Sequence, residues 1–296
     1  MNLSRYSPMI EDAARHPALW RLLLGFLTVF VVLAAWVAAI IALRAVALGT
    51  WFADAGADIL VLGAGTPAQA TLYLIVVAGL GAGACVAAAF WQKRTPRSLV
   101  GPGARTLRHA VIAAATTFAI LGCLSLLTLP FSEPVERNQP FTAWLAWLPV
   151  GILALILQTG GEEVFFRGYL QSQLAARFRG HSLAVVAPAL LFGFAHYVPS
   201  FPLIAALTYV LIATMFGILA ADLTIRTGSL GAAWGFHLAN NALAVLIIAP
   251  TGSVTGLALW RTGTEFGPEA LTSPLATAEI LVLLATWFLI RRVLRV

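Results

Sequence analysis

The sequence predicts an all-α fold: a polytopic membrane bundle of about eight transmembrane helices with both termini in the cytoplasm. Three observations predict it. Of 296 residues, 60% are hydrophobic and only 10% charged, against about 25% charged in an ordinary soluble domain. Mean hydropathy is +0.90, and several windows exceed the roughly 18 apolar residues that mark a bilayer crossing. Finally, Lys and Arg collect in alternate loops, the signature of an oriented membrane protein.

The spans fall at about 19–43, 71–91, 109–131, 142–161, 182–197, 201–221, 228–249 and 275–290. The first follows MNLSRYSPMIEDAARHP, too long and too acidic for the leading region of a signal peptide, so the span is expected to be retained. The second contains AGLGAGACVAAA (78–89), whose small residues favour close helix packing. The fifth and eighth are short for a full crossing. Cys85 and Cys123 lie inside apolar spans and read as buried small hydrophobes, not as a disulfide or metal pair. No repeat, low-complexity tail or soluble domain interrupts this plan, so residues 1–296 read as one integral membrane domain.

Loop charges orient the bundle. The 92–108 loop carries Lys93, Arg94, Arg97, Arg105 and Arg108. Arg177 and Arg179, then Arg226, then Arg291, Arg292 and Arg295 follow on the same side if the spans alternate. The opposite loops are acidic or nearly neutral: Asp54 and Asp58, then Glu133 and Glu136 with Arg137, then Arg261 with Glu265 and Glu269. This places the basic side in the cytoplasm. It also disposes of nucleic acid as a partner, since the net charge of +6 is spread over short inter-span loops. The expected surroundings are a lipid bilayer, and the Arg- and Ala-rich composition suggests a bacterial inner membrane.

Ionisable groups within such spans are costly and are functional suspects by default. TGGEEVFFRGYL (159–170) follows the 17-residue run Ala143–Thr159, in which only Gln158 and Thr159 are strongly polar. Glu163 and Arg167 stand four apart, in the order that lets a helical ion pair form. Glu162 is turned about 100° from Glu163 and needs another partner. Phe192 and His196 form a second i,i+4 pair in FGFAHY, and His237 and Asn241 a third in GFHLANN, with Asn240 turned off that face. The chain turns at about Arg179–Gly180. Glu162 lies 17 residues before Arg179 and His196 lies 16 after Gly180, so antiparallel helices bring both to one height. One inward-facing cluster of Glu162, His196, His237 and Asn241 is therefore expected.

A carboxylate and an imidazole touching one water form a general-base pair. A second imidazole and an amide can donate hydrogen bonds to the oxyanion formed when that water attacks a carbonyl. These are the parts of an amide hydrolase without a covalent nucleophile or cofactor. The rival is zinc, for which two His and one Glu are a common ligand set. H-E-x-x-H is absent, yet a zinc site built from separate helices stays open.

In these three ordered motifs, Glu162-Glu163-x-x-x-Arg167, Phe192-x-x-x-His196 and His237-x-x-x-Asn241, the chain resembles the CPBP family of CAAX proteases and bacteriocin-processing enzymes, over about 142–248. The resemblance implies a glutamate-dependent intramembrane endopeptidase acting on a membrane-associated protein or peptide. By the matching positions, Glu162 and His196 would activate water and His237 and Asn241 would bind the oxyanion. Glu163 and Arg167 would support the site, as would Phe192, and the cavity would open to the cytoplasm. Whether the substrate is prenylated does not carry over. Two readings from other classes compete: a transporter with a polar relay, which favours inverted repeats that the sequence lacks, and a silent scaffold or immunity protein.

Overall fold

The computed structural model describes residues 5–57, 64–128, 135–178 and 181–296. The turn expected at Arg179–Gly180, the last residues of the 109–131 span, and the loop charges Asp58 and Glu133 lie outside the described residues.

A short helix α1 (Ser7–Ala14) precedes the 30-residue α2 (Leu19–Leu48), which ends on Gly49 in the left-handed conformation that glycine adopts without steric cost. After α3 (Phe52–Ala57), Thr66 and Gln69 close a capping box that starts α4 (Pro67–Trp91). The short α5 (Pro96–Val100) leads into α6 (Gly103–Thr128) and strand β1 (Val135–Arg137). Helix α7 (Phe141–Glu163) does not end at the glutamates. It runs on through π-helical turns, Val164–Gln171, into α8 (Ser172–Arg177).

The hairpin partner α9 (His181–Phe194) and the long α10 (Leu203–Thr227) follow. Helix α11 (Gly231–Ala242) opens into a π turn, Leu243–Ile247, and strand β2 (Ile248–Thr251). Strand β3 (Trp260–Glu265), α12 (Pro268–Thr272) and α13 (Pro274–Leu294) complete the chain.

The fold is helical, as expected, and the protein is an integral membrane protein. Five of the eight expected spans are helices long and apolar enough to cross a bilayer: Leu19–Leu48, Pro67–Trp91, Pro96–Leu127, Phe141–Arg177 and Leu203–Thr227. Large apolar side chains such as Leu23, Leu27 and Val31 point outward, which suits lipid and not water. The expected span 228–249 needs correction. Its end is a strand, because Ile248–Thr251 pairs in parallel with β3 while β1 pairs antiparallel on the other side of β3. Cys123 is also a correction: it is exposed on the flank of α6, while Cys85 is half-buried, because a bundle in lipid turns apolar residues outward as well as inward.

Small residues set the spacing of the helices. A Cβ on Gly81 of α4 would lie 2.6 Å from the Gly161 Cα of α7, so the two backbones touch one residue before Glu162. At Gly235 a Cβ would collide with the Ala110 carbonyl, which draws α11 onto α6. One end of the bundle is fastened by Arg94, which donates to Ser172 Oγ at 2.8 Å, beyond the π turns, and to the Met9 carbonyl of α1 at 3.4 Å. Burial lowers the Arg94 guanidinium to about 10, and the nearby Tyr6 and Asp12 act in the opposite sense. The β-sheet, with Arg261 paired to Glu136 at 2.9 Å, caps the opposite end.

Candidate active site

Two glycines make room for the site. Gly161 lets α4 approach α7 on one flank. On the other, a Cβ on Gly160 would lie 3.0 Å from the Trp234 ring of α11, whose Nε1 donates to Thr159 Oγ1 at 3.1 Å. These contacts make Gly160 and Gly161 close-packing positions within a continuous helix, and the two acids that follow are buried.

Glu163 is fully buried. Its Oε1 accepts from Arg167 at 3.0 Å and from His237 Nδ1 at 2.8 Å. The expected i,i+4 ion pair is present, then, with an imidazole added to it. Arg167 is 1% exposed, and its guanidinium sits over the Phe192 ring at 4.8 Å and donates to the Gly217 carbonyl at 3.4 Å. A buried charge unpaired in such a place would be strongly unfavourable, so every one of these contacts matters to stability.

Glu162 also has partners. Gln158 Nε2, one turn earlier on α7, donates to Glu162 Oε2 at 2.9 Å, and His237 Nε2 lies 3.4 Å from the same oxygen. Gln158 Oε1 in turn accepts from Asn241 Nδ2 at 3.4 Å. Because an ionised carboxylate only accepts, the amide nitrogen of Gln158 must face Glu162, and its carbonyl is left for Asn241. A single network therefore runs from Asn241 through Gln158, Glu162, His237 and Glu163 to Arg167. It leaves Glu162 Oε1 free.

His196 lies just past the end of α9. Its Nδ1 is 2.8 Å from the Phe192 carbonyl, which can only accept, so Nδ1 carries the proton and a neutral ring keeps its lone pair on Nε2. Phe192 ties these groups together: its ring centroid lies 4.7 Å from that of His196 and 5.9 Å from that of His237. Glu162, His196, His237 and Asn241 all line one cavity of about 140 Å³, room for several water molecules.

The structure thus brings the four expected side chains to one cavity, with Phe192 beside them in its lining and Glu163 and Arg167 behind them. It differs from expectation in three ways. The group from another helix that meets Glu162 directly is His237, and His196 forms no ion pair with it. Asn240, expected to face away, lines the cavity as well. Gln158, Tyr209 and Glu279 also line it without having been singled out, although Gln158 bears to Glu162 the same i,i+4 relation used elsewhere. Among the described residues no group of three His, Cys, Asp or Glu side chains is arranged to hold a metal ion.

Such a bundle carries a buried carboxylate–imidazole network that opens on a cavity with room for several water molecules. The comparisons point to one family. Residues 142–243 match the family model described as Type II CAAX prenyl endopeptidase Rce1-like. The match runs from the start of α7 to just beyond Asn241, so it takes in the whole network. The uncharacterized protein YyaK of Bacillus subtilis (strain 168) is 27% identical over 192 residues, an alignment covering 62% of this chain and 62% of YyaK.

Proposed function

We propose that this chain is an intramembrane endopeptidase that cuts a membrane-associated protein or peptide with a Glu- and His-activated water. The observation that carries the reading is the lining of one cavity by Glu162, His196, His237 and Asn241. Among these four side chains Glu162 Oε1 and His196 Nε2 are acceptors not committed elsewhere, and a water between them would give up a proton as it attacks the scissile carbonyl. The second N–H of Asn241 and a proton on His237 Nε2 would stabilise the resulting oxyanion. Glu162 would then pass the proton to the leaving amine, which restores the carboxylate. Glu163 and Arg167 hold His237 in place and take no part in proton transfer.

The basic end of the bundle, with Arg94, Arg226 and Arg291, supports a bacterial inner membrane as the setting, with both termini on the cytoplasmic side. The decisive experiment is peptide cleavage by the purified chain in lipid nanodiscs. Glu162→Gln and His196→Ala each abolish turnover while the thermal midpoint is retained, and chelators have no effect. Turnover that persists in either variant removes the assignment, and loss with chelator that is restored by zinc favours the metal reading instead.

A further inference from the structure

Glu279 is an acidic residue in the otherwise uncharged stretch PLATAEILVLLATWFLI (274–290) of α13. Among the described residues no hydrogen bond or ion pair reaches it, whereas Glu163, Asp222 and Glu136 each have an arginine partner. The side chain is exposed and also lines the cavity of the candidate site, so a bound peptide can reach it.

Its direction is fixed by the way α13 lies on α10. The two helices run side by side in the same sense. Asp222 Oδ2 accepts from Trp287 Nε1 at 3.0 Å toward one end, and Tyr209 and Glu279 both reach the cavity nearer the helix starts. The other titratable groups that line this cavity are Glu162 from α7, His196 beyond α9, Tyr209 from α10 and His237 from α11. Nδ1 of each imidazole is already committed, to the Phe192 carbonyl and to Glu163. Among the described residues no Lys or Arg lines the cavity, and Arg167 is held behind it by Glu163. The cavity therefore offers two carboxylates, one of which, Glu162, already faces His237 Nε2, while Glu279 faces no basic partner among the described residues.

From this we infer that Glu279 is a specificity-determining residue that selects peptides with a Lys or Arg side chain close to the bond that is cut. The inference rests on the endopeptidase reading and narrows its substrate class. A substrate cation would supply the charge that Glu279 lacks, and an acidic side chain at that point would meet repulsion.

The test is equilibrium binding of a labelled apolar peptide series, identical but for one central Lys, Arg, Gln or Glu, to the full chain in nanodiscs, with Glu162→Gln present to prevent cleavage. The Lys and Arg peptides are expected to bind about tenfold tighter than the Gln peptide, and the Glu peptide more weakly still. Glu279→Gln brings the Lys-to-Gln ratio to about one, and Glu279→Lys inverts the order. Glu279→Asp keeps the preference, which separates loss of charge from loss of fold. Equal binding of all peptides, no binding of any, or a cationic preference that survives Glu279→Gln overturns the inference. If the preference holds but Glu162-intact protein cleaves none of the bound peptides, the endopeptidase reading fails and cation recognition stands.

Discussion

Gln158 Nε2 donates to Glu162 Oε2 at 2.9 Å across one turn of α7, and the same amide accepts from Asn241. One side chain thereby links the proposed water-activating carboxylate to a proposed oxyanion donor on another helix. It also decides which oxygen of Glu162 is left for water.

Removing that link has a measurable effect. A hydrogen bond to a charged group contributes about 1.5–3 kcal/mol. Gln158→Leu is therefore expected to lower kcat/KM roughly ten- to a hundredfold in the cleavage assay, mostly through kcat, with little change in thermal midpoint. Gln158→Glu sets a second carboxylate against Glu162 and lowers activity further. Unchanged kcat in both variants would place Gln158 outside the working site.

Arg167 tests the ion pair. Arg167→Ala leaves Glu163 buried without its guanidinium, a loss of about 3–5 kcal/mol, visible as a lower thermal midpoint and poor yield from membranes. Arg167→Lys restores the charge but not a planar group over Phe192 with donors for both Glu163 and the Gly217 carbonyl, so recovery is partial. Wild-type stability in Arg167→Ala would mean that Glu163 is not charged as the geometry requires.

The α4–α7 contact offers a packing test. A Cβ on Gly161 would lie 2.8 Å from the Ala78 carbonyl of α4. Gly161→Val forces the two helices apart and is expected to cost about 1–3 kcal/mol in stability, and to reduce turnover because Glu162 is the next residue. A paired Gly81→Ala change adds to the clash and does not relieve it, which thermal melts of the single and double variants will read.

Topology is checked with reporters. The basic residues at one end predict a cytoplasmic C-terminus, so a C-terminal fluorescent fusion is bright and a C-terminal phosphatase fusion is inactive. A phosphatase inserted at Gly252, by the β-sheet, is active. The reverse pattern would invert the orientation.

The Glu163–Arg167 pair was legible before the structure because four residues on a helix always share a face, and the 3.0 Å contact follows from that local rule. The same rule joins Gln158 to Glu162, and Glu279 is an acid in an otherwise uncharged helical stretch, so the signal for both was in the chain although neither was singled out. Asn240 was misjudged because the cavity is wider than one helix face, and the sheet went unseen because strands of three, four and six residues carry little periodicity.

Hydropathy and one-turn spacing are properties of neighbouring residues, and from them alone came a helical membrane protein with polar motifs on three of its spans. Which side chains then met was decided by how each helix is rotated and how deep it sits. Backbone contacts such as Gly81 on Gly161 and Gly235 on Ala110 set both. That is why His237, and not His196, is the imidazole that meets Glu162: position along a helix can be counted in sequence, but the approach of two helices depends on the surfaces they bury against each other.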